Sequence, residues 1–333
     1  MKRRQFLAGS LATAAATSLP RSVDAKPLAP FKLFDTHAHF YTNQPDRYPF
    51  QATGARYGAE RMIAKATARP MTPAVVFAFW DAVGVERGTG VQYNSTYGTD
   101  NSYLLDCAKA HPDRILPVVI LDPVDAATPA TLHRFAKEAH LAGVRFSGSP
   151  NAQGDVAFLS DAARDTWAAA DELGLSVVLM PLGANVPAAL RKVAEHADRY
   201  PNVDVVLDHI AFPRPEALPK SFGLTAEHRA LAAHRNVYYK FTSFLVSEME
   251  ANARSANRPM IELRPFVEAM VDTYGADHLV WGSDHGNVEV DDVLYVKRAL
   301  DATEGLKTQD RRAFFYDTAK AVFVPGGRGR RRG

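Results

Sequence analysis

Cysteine is nearly absent from this sequence, since Cys107 is the only one among 333 residues. A single cysteine cannot form an internal disulfide, and it excludes a zinc or iron–sulfur site built from several cysteines. The sequence also has no apolar stretch suited to crossing a bilayer, and its 47% hydrophobic and 23% charged residues are ordinary for a globular protein. Disordered, collagen-like and multi-span membrane classes are therefore excluded.

An excess of one charge sign is also lacking, but the charges are unevenly placed. The chain has 39 Lys and Arg against 37 Asp and Glu, a net charge of +2. Four basic residues and one acidic residue fall in positions 1–25, and four arginines fall in the last six positions. The other 31 basic and 36 acidic residues give the body a net charge of −5. This body repels anions at long range, so recognition of an anionic ligand must be local.

The first 25 residues have the parts of an export signal. A basic start is followed by a short alanine-rich run, and positions 23–25 offer a cleavage site. The pair Arg3-Arg4 before Gln-Phe-Leu resembles a twin-arginine signal, which is read by the export machinery for folded proteins. Residues 1–25 are therefore expected to direct a bacterial protein to the periplasm with no permanent membrane anchor. The alternative is an amphipathic N-terminal helix of the mature protein.

Residues 325–333 form a basic tail of glycine and arginine after Pro325. Such a tail resembles RGG segments that bind RNA. A nucleic-acid site would need the basic surface to continue into the body, which is acidic. We therefore expect a solvated, disordered tail and no nucleic-acid partner.

Short β-rich segments alternate with helical segments from residue 31 onward. Several strands are continuous apolar runs, which is typical of parallel strands buried on both faces. No Gly-x-Gly-x-x-Gly motif follows an early strand, which disfavours the alternative, an open doubly wound sheet that binds a dinucleotide. Eight strand–helix units predict an α/β protein, a single-domain (β/α)8 TIM barrel over residues 26–324. The predicted strands are Phe31–Asp35, Gly88–Tyr93, Ile115–Leu121, Gly143–Phe146, Ser176–Met180, Val203–Leu207, Val237–Lys240 and His278–Trp281.

Helix signals lie between these strands. Thr72 as N-cap and Pro73 as first residue predict a helix that Gly84 ends. The other predicted helices cover about 101–110, 129–141, 161–173, 187–199, 225–234, 264–274 and 309–322.

Histidine and aspartate stand at the ends of three predicted strands. Asp35, His37 and His39 alternate along the first strand and are expected to point to one side. His209 and Asp284 follow the sixth and eighth strands. A TIM barrel gathers such strand ends at one mouth, where its active sites lie, so these residues predict a functional site. The His-x-His pair could serve as metal ligands or as polar catalytic groups.

Two cations also stand at strand ends, Arg145 in the fourth strand and Lys240 in the seventh. A buried arginine presents a fork that matches carboxylates or sulfonates. Its alternative role is an ion pair with a neighbouring aspartate. Lys240 is expected to be a structural partner of a strand-end carboxylate.

Five segments at or near strand ends together resemble one family: Asp35–His39, Tyr97–Asn101, Gly143–Phe146, Leu207–Ile210 and Trp281–Asp284. They resemble the amidohydrolase superfamily, and within its amidohydrolase-2 branch the lactonase group of 2-pyrone-4,6-dicarboxylate lactonase and 4-sulfomuconolactone hydrolase. The resemblance covers about residues 31–323. The residues that it implies are His37, His39, His209 and Asp284 for catalysis, Arg145, Ser95 and Asn287 for substrate binding, and His37, His39 and Asp284 for a metal.

Two positions depart from the family pattern. Many metal-dependent members have a histidine at the end of strand five, where this chain has Met180, and thioether sulfur is a poor zinc ligand. A second arginine, which the pyrone lactonase has shortly after the first, is missing from positions 147–154, and this argues against a dicarboxylate substrate. The resemblance is therefore compatible with weakly bound zinc and with action without metal.

The resemblance implies a carboxylic-ester hydrolase that opens a small anionic lactone, carboxylated or sulfonated, such as a muconolactone or pyrone derivative from aromatic compound degradation. Asp284 would act as general base on water, which requires a pKa near the working pH. The three histidines would polarise the lactone carbonyl directly or through zinc, and Arg145 would orient the anionic arm. The alternatives are a metal-dependent decarboxylase of an aromatic or muconate-type acid and a non-catalytic exported binding protein.

Overall fold

Eight parallel strands form a nearly closed barrel in the computed structural model, which describes residues 26–287 and 291–326. The strands follow chain order around the sheet, and each pairs in parallel with the next. This order confirms the predicted (β/α)8 TIM barrel. The strands are β1 Leu33–His39, β2 Val85–Val91, β3 Ile115–Ile120, β4 Gly143–Gly148, β5 Ser176–Pro181, β6 Val205–Leu207, β7 Val237–Thr242 and β8 Leu279–Gly282.

Helices cover the outer face of the barrel. Pro73 and a left-handed Gly84 (φ 97°) bound the second helix, as the sequence predicts. Within the described parts of the chain, none of the helices combines the length and apolar character needed to span a membrane. The helices are α1 Ala59–Ala68, α2 Pro73–Val83, α3 Asn94–Tyr97, α4 Ser102–Ala110, α5 Thr128–Glu138, α6 Arg164–Leu173, α7 Val186–Arg199, α8 Ala226–Ala230, α9 Ser243–Ser255, α10 Leu263–Tyr274, α11 Asp292–Ala302, α12 Thr308–Arg312 and α13 Thr318–Phe323.

Helices α1, α3, α9 and α11 are absent from the sequence-based prediction. Helices α9 and α11 nevertheless have side-chain N-caps, because Thr242 and Asp291 each accept a hydrogen bond from the backbone amide three residues on. The predicted helix 309–322 is broken by a π-helical turn, Ala313–Asp317. The predicted export signal, residues 1–25, and the tail from residue 327 lie outside the described residues.

The inside of the barrel is filled with apolar side chains. Phe34, Val118 and Val178 from the strands belong to one inner cluster, which Val322 and Phe323 of α13 complete. The hydroxyl of Ser176, the first residue of β5, donates a hydrogen bond to the carbonyl of Val322 (2.8 Å). Helix α13 therefore fills the amino-terminal end of the barrel, opposite the mouth where the strands end.

Strands β1 and β8 are joined at the mouth by hydrogen bonds around Asp284. The Asp284 amide donates to the His37 carbonyl (2.7 Å), and the His39 amide donates to the His285 carbonyl (2.9 Å). Asp35 adds a side-chain link, because its carboxylate accepts from the amide and hydroxyl of Ser283 at 2.8 and 2.6 Å. These bonds bring the ends of the first and last strands together.

Candidate active site

His37, His39, His209 and Asp284 meet at the carboxyl-terminal mouth of the barrel, where the sequence predicts a site. Asp284 Oδ1 lies 3.1 Å from His39 Nε2 and 3.7 Å from His37 Nε2. The His209 ring stacks on His37 with centroids 5.4 Å apart. All four side chains are buried, so charge on any of them acts in a medium of low dielectric constant.

Asp35 does not point into this cluster, and the prediction that it shares a face with the two histidines is wrong. Its carboxylate accepts a hydrogen bond from the Trp80 indole of α2 (2.9 Å), on the outside of the barrel. The pairing of β1 with β2 shifts register between Asp35 and Ala38, which breaks the alternation of side chains. Burial raises the pKa of Asp35. The Asp35 carboxylate therefore links β1 to Trp80 of α2 and to Ser283 after β8.

Hydrogen bonds from the barrel wall fix two of the histidine rings. His39 Nδ1 lies 2.9 Å from the Val91 carbonyl. A carbonyl only accepts, so Nδ1 carries the proton and the lone pair of a neutral ring is on Nε2, which faces Asp284. His209 Nδ1 lies 2.7 Å from the Thr242 hydroxyl, so Nε2 is its remaining ring nitrogen.

The backbone around His209 is strained. Residues 209–212 have successive φ values of 55°, 53°, 52° and 57°, and none of them is glycine. Left-handed conformation costs about 1–2 kcal/mol per ordinary residue. Asp284 has the same conformation, with φ at 55°. Tertiary packing must hold both segments, and Ile210 and Ala211 are fully buried.

Asp208 is the functional-site residue that the sequence analysis missed. Its Oδ2 accepts from Arg145 Nε (2.6 Å), while Oδ1 lies 2.9 Å from Lys240 Nζ and 3.5 Å from His37 Nδ1. Burial opposes its ionisation, yet Lys240 and Arg145 hold its pKa well below the usual range. The signal was present in the sequence, because an aspartate beside His209 is the natural counterion for two strand-end cations.

Arg145 is an ion-pair partner in this structure, which is the alternative role that the sequence allowed. Its Nη2 also lies 2.9 Å from the sulfur of Met180. Met180, which stands where many family members have a histidine, thus contacts the Arg145 guanidinium. Lys240 pairs with the same carboxylate, and this confirms the structural role predicted for it.

The two other substrate-binding candidates differ in position. The Asn287 amide donates to Asp284 Oδ2 (3.3 Å) and accepts from the Tyr93 hydroxyl (3.3 Å), so it borders the cluster. Ser95 lies on the short helix α3 after β2 and is half-buried. The place of Ser95 in the site stays a prediction.

The ionisation of the cluster differs from the expectation for Asp284. Burial would raise the pKa of Asp284, but His37 and His39 outweigh it and hold that pKa below the usual range. The shift keeps Asp284 ionised at neutral pH, and it leaves Asp284 a weaker base than the general-base role was expected to need. Burial lowers the pKa of His37 to about 3 and that of His209 to about 4, so both rings are neutral.

His37, His39 and Asp284 have the geometry of a metal site. Tetrahedral zinc with bonds of about 2.0–2.1 Å separates its ligand atoms by roughly 3.3 Å. The measured 3.1 and 3.7 Å bracket that value, and both nitrogens of His37 are buried without a hydrogen bond among the described residues. A second group, His37, Asp208 and His209, is also close enough, but Arg145 and Lys240 already neutralise Asp208. The donor set therefore fits one cation.

Comparison with known proteins gives related sequences and folds. A curated relative, L-fucono-1,5-lactonase of Burkholderia ambifaria, is 26% identical over 264 residues, which are 75% of this chain and 79% of the relative. A structure from Pseudomonas putida, assigned as a 2-pyrone-4,6-dicarboxylic acid hydrolase, is 25% identical with a TM-score of 0.66, covering 89% of this chain and 98% of the other.

A more distant structure shares the fold alone. It is 5-carboxyvanillate decarboxylase from Novosphingobium aromaticivorans in complex with manganese, with 14% identity, a TM-score of 0.63, and coverage of 90% of this chain and 99% of the other. A family model described as amidohydrolase matches residues 34–324, which include every residue of the cluster at the mouth. The chain therefore belongs to the amidohydrolase family, as its strand-end motifs predict.

Proposed function

We propose that this protein is a lactonase, a carboxylic-ester hydrolase that opens a small lactone with water. The observation that carries the proposal is a fully buried, ionised Asp284 with two imidazole nitrogens within 3.7 Å at the barrel mouth. The relatives named L-fucono-1,5-lactonase and 2-pyrone-4,6-dicarboxylic acid hydrolase support the same reaction class.

The reaction needs a base, an oxyanion partner and a proton for the leaving oxygen. Asp284 accepts a proton from water as the water oxygen attacks the lactone carbonyl carbon. His209 donates from Nε2 to the oxyanion when the Thr242 hydroxyl donates to Nδ1. The ring C–O bond then breaks, and the alkoxide takes the proton held on Asp284. The product is a hydroxy acid, which ionises and releases one proton at neutral pH.

A cation between His39 and Asp284 is part of the proposal. A neutral His39 presents a lone pair to the Asp284 carboxylate at 3.1 Å, and two acceptors at that distance repel unless a cation lies between them. We propose that His37, His39 and Asp284 hold a divalent ion such as zinc. A bound zinc ion lowers the pKa of water in contact with it and polarises a carbonyl. Without a metal, Asp284 and the histidines would act on water and the lactone directly.

The substrate that we propose is a small anionic lactone, carboxylated or sulfonated, of the muconolactone or pyrone type. The two relatives act on lactones by name, and one of those lactones carries carboxylates. The decarboxylase neighbour shares only the fold and gives no separate support for that reaction. A binding protein would not require an ionised aspartate beside neutral imidazoles.

Proton release in a pH-stat tests the lactonase proposal. A panel containing L-fucono-1,5-lactone, muconolactone and 2-pyrone-4,6-dicarboxylate is given to the wild type and to Asp284→Asn. We expect acid release from at least one lactone and a loss of at least 100-fold in the variant, since the base is removed. Asp277→Asn is the matched control, because that side chain is 78% exposed. Wild-type inactivity on every lactone, or full activity of Asp284→Asn, would contradict the proposal.

The metal is tested separately. Dialysis against a chelator is expected to abolish acid release, and zinc is expected to restore it. Measurement of zinc content in wild type and in His37→Ala gives a readout that does not depend on turnover. Unchanged activity after a chelator has removed all bound metal would eliminate the metal and leave the metal-free mechanism.

We also propose that residues 1–25 send the protein to the periplasm through the twin-arginine machinery. The support is the paired arginines and the alanine-rich run of the sequence. Cell fractionation with Arg3→Lys/Arg4→Lys is the test. Retention of the variant in the cytoplasm is expected, while equal export of both proteins would contradict it.

A further inference from the structure

A cavity of about 470 Å³ opens on the carboxyl-terminal side of the barrel. Its wall comes from loops after four strands, with Arg56 after β1, Leu182 after β5, Phe212 and Arg214 after β6, and Glu248 on α9 after β7. The volume is in the range of small-molecule sites.

The cavity adjoins the histidine cluster through aromatic rings. Phe212 lines the cavity, and its ring centroid is 5.1 Å from that of His209. Phe244 lies 4.9 Å from His209 on another side, and the Arg56 guanidinium lies 5.4 Å from the Phe244 ring. A molecule whose carbonyl reaches His209 would therefore extend its other end past Phe212 into this cavity.

Both cationic side chains described in the inner cluster already face a carboxylate. Arg145 and Lys240 both contact Asp208, and the buried Asp284 adds a second negative charge. The two cations and two carboxylates balance. The proposed divalent ion would act at the lactone carbonyl, so a carboxylate at the other end of the molecule needs cations outside this cluster.

The outer cavity presents two further arginines. Arg56, Arg214 and Glu248 line it. Arg56 pairs with Glu248 at 3.2 Å and Arg214 with Glu216 at 3.0 Å, and the two arginine side chains are 52% and 64% exposed. The Arg56–Glu248 pair lies at the surface, where ion pairs contribute little to stability, so a ligand carboxylate can exchange with Glu248 at little cost. Glu216 is 5% exposed and stays paired with Arg214 Nε, so a ligand carboxylate would reach Arg214 through its terminal nitrogens.

We propose that Arg56 and Arg214 bind the carboxylate of the substrate and set the preference for anionic lactones, the role that the sequence gave to Arg145. The apolar edge of the ligand packs on Phe212 and Leu245 in the same cavity. This inference rests on the proposed lactonase function.

Two lactones that differ in one group provide the test. 5-Oxotetrahydrofuran-2-carboxylate carries a carboxylate where γ-valerolactone carries a methyl group. We expect Arg56→Gln and Arg214→Gln each to lower the ratio of kcat/KM for the first over the second by about fivefold, and the double variant to lower it by more than 20-fold. Arg→Lys at either position keeps the charge and is expected to retain part of the ratio.

Arg312→Gln is the matched control, since Arg312 is similarly exposed and pairs with Asp317 at 3.2 Å on α12, outside the cavity. A ratio that stays within twofold of wild type in the Arg56→Gln/Arg214→Gln double variant would overturn the inference, even where Asp284→Asn is inactive.

Calorimetry separates this inference from the lactonase proposal. Tetrahydrofuran-2-carboxylate has the same arm but no lactone carbonyl, so its binding does not depend on turnover. Binding by the wild type that weakens at least tenfold in the double variant supports the inference even if no lactone is hydrolysed. No binding by the wild type, or equal binding by both proteins, overturns it.

Discussion

At the scale of single residues, the site depends on one buried carboxylate shared by three partners. Asp208 lies between Arg145, Lys240 and His37, and all of them are buried. Removing one partner of such a group leaves an uncompensated buried charge, which typically costs 3–5 kcal/mol. Asp208 thus holds the inner cluster together without being a predicted contact of the substrate.

We predict that Asp208→Asn lowers the free energy of unfolding by about 3–5 kcal/mol, because Arg145 and Lys240 lose their counterion. Urea unfolding measures the change. Asp277→Asn, at an exposed site, is expected to stay within about 0.5 kcal/mol of wild type. The double variant Asp208→Asn/Lys240→Met also removes one of the two cations left without a counterion. It is expected to recover part of the lost free energy of unfolding. Equal stability of Asp208→Asn and wild type would contradict the shared-counterion description.

The sequence could predict which residues gather at the mouth, but not how they pair. Strand-end positions suffice to bring His37, His39, His209 and Asp284 together, because a barrel places all strand ends at one side. The orientation of Asp35 could not be read from alternation, since a register shift in β1 reverses the expected side. The pairing of Arg145 with Asp208 depends on the distance between two strands. The spacing of residues along a single strand gives no information on that distance.

At the scale of secondary-structure elements, a left-handed turn after β6 places His209. Residues 209–212 all have positive φ, and the last of them, Phe212, lines the outer cavity. His228 of α8 donates from Nε2 to the Ala211 carbonyl (3.2 Å) and ties the turn to a neighbouring helix. A conformation that propensity disfavours is thus kept by buried contacts.

Ala211→Gly tests the strain in this turn. Glycine adopts a φ of 52° without a steric cost of about 1–2 kcal/mol, while the lost methyl group costs about 0.8 kcal/mol. We predict a gain in stability of about 0.5 kcal/mol in urea unfolding. Ala64→Gly, at an exposed position inside α1, is the control and should lose about 1 kcal/mol. Similar losses in both variants would show that the turn is not strained.

Strands were more predictable than helices in this chain. Buried parallel strands are continuous apolar runs, and all eight were found with errors of a few residues at their ends. The sequence-based prediction also missed α1, α3, α9 and α11. Helix α9 shows one reason, because it begins directly after the last residue of β7 with no glycine or proline between them. The π-helical turn between α12 and α13 depends on packing of Phe314 and Phe315 against the barrel, which local sequence does not specify.

At the scale of the whole molecule, stability depends on pH through buried histidines. Burial lowers the pKa of His196 and His228 below the usual value, and neither belongs to the cluster at the mouth. The unfolded chain therefore binds more protons than the folded chain as the pH falls below about 6.5. Stability is expected to decrease with falling pH in that range.

We predict that the melting temperature falls between pH 7.5 and 5.5 and that His228→Asn reduces this fall. A histidine that stays neutral in the folded state contributes at most about 1.4 kcal/mol of destabilisation at pH 5.5. The variant is less stable at pH 7.5, because it loses the bond to Ala211. His140→Asn, on the exposed surface, should leave the pH dependence as in wild type. An identical pH dependence in His228→Asn would contradict the assignment.

The helix that closes the amino-terminal end of the barrel also constrains turnover. Because α13 and its Val322 and Phe323 fill that end, a substrate and its product have to pass through the same mouth. Hydrolysis adds a carboxylate to the molecule that leaves, and the arginines beside the exit attract that new charge. Product release would then compete directly with substrate entry, and the hydroxy acid should act as a competitive inhibitor that high ionic strength weakens.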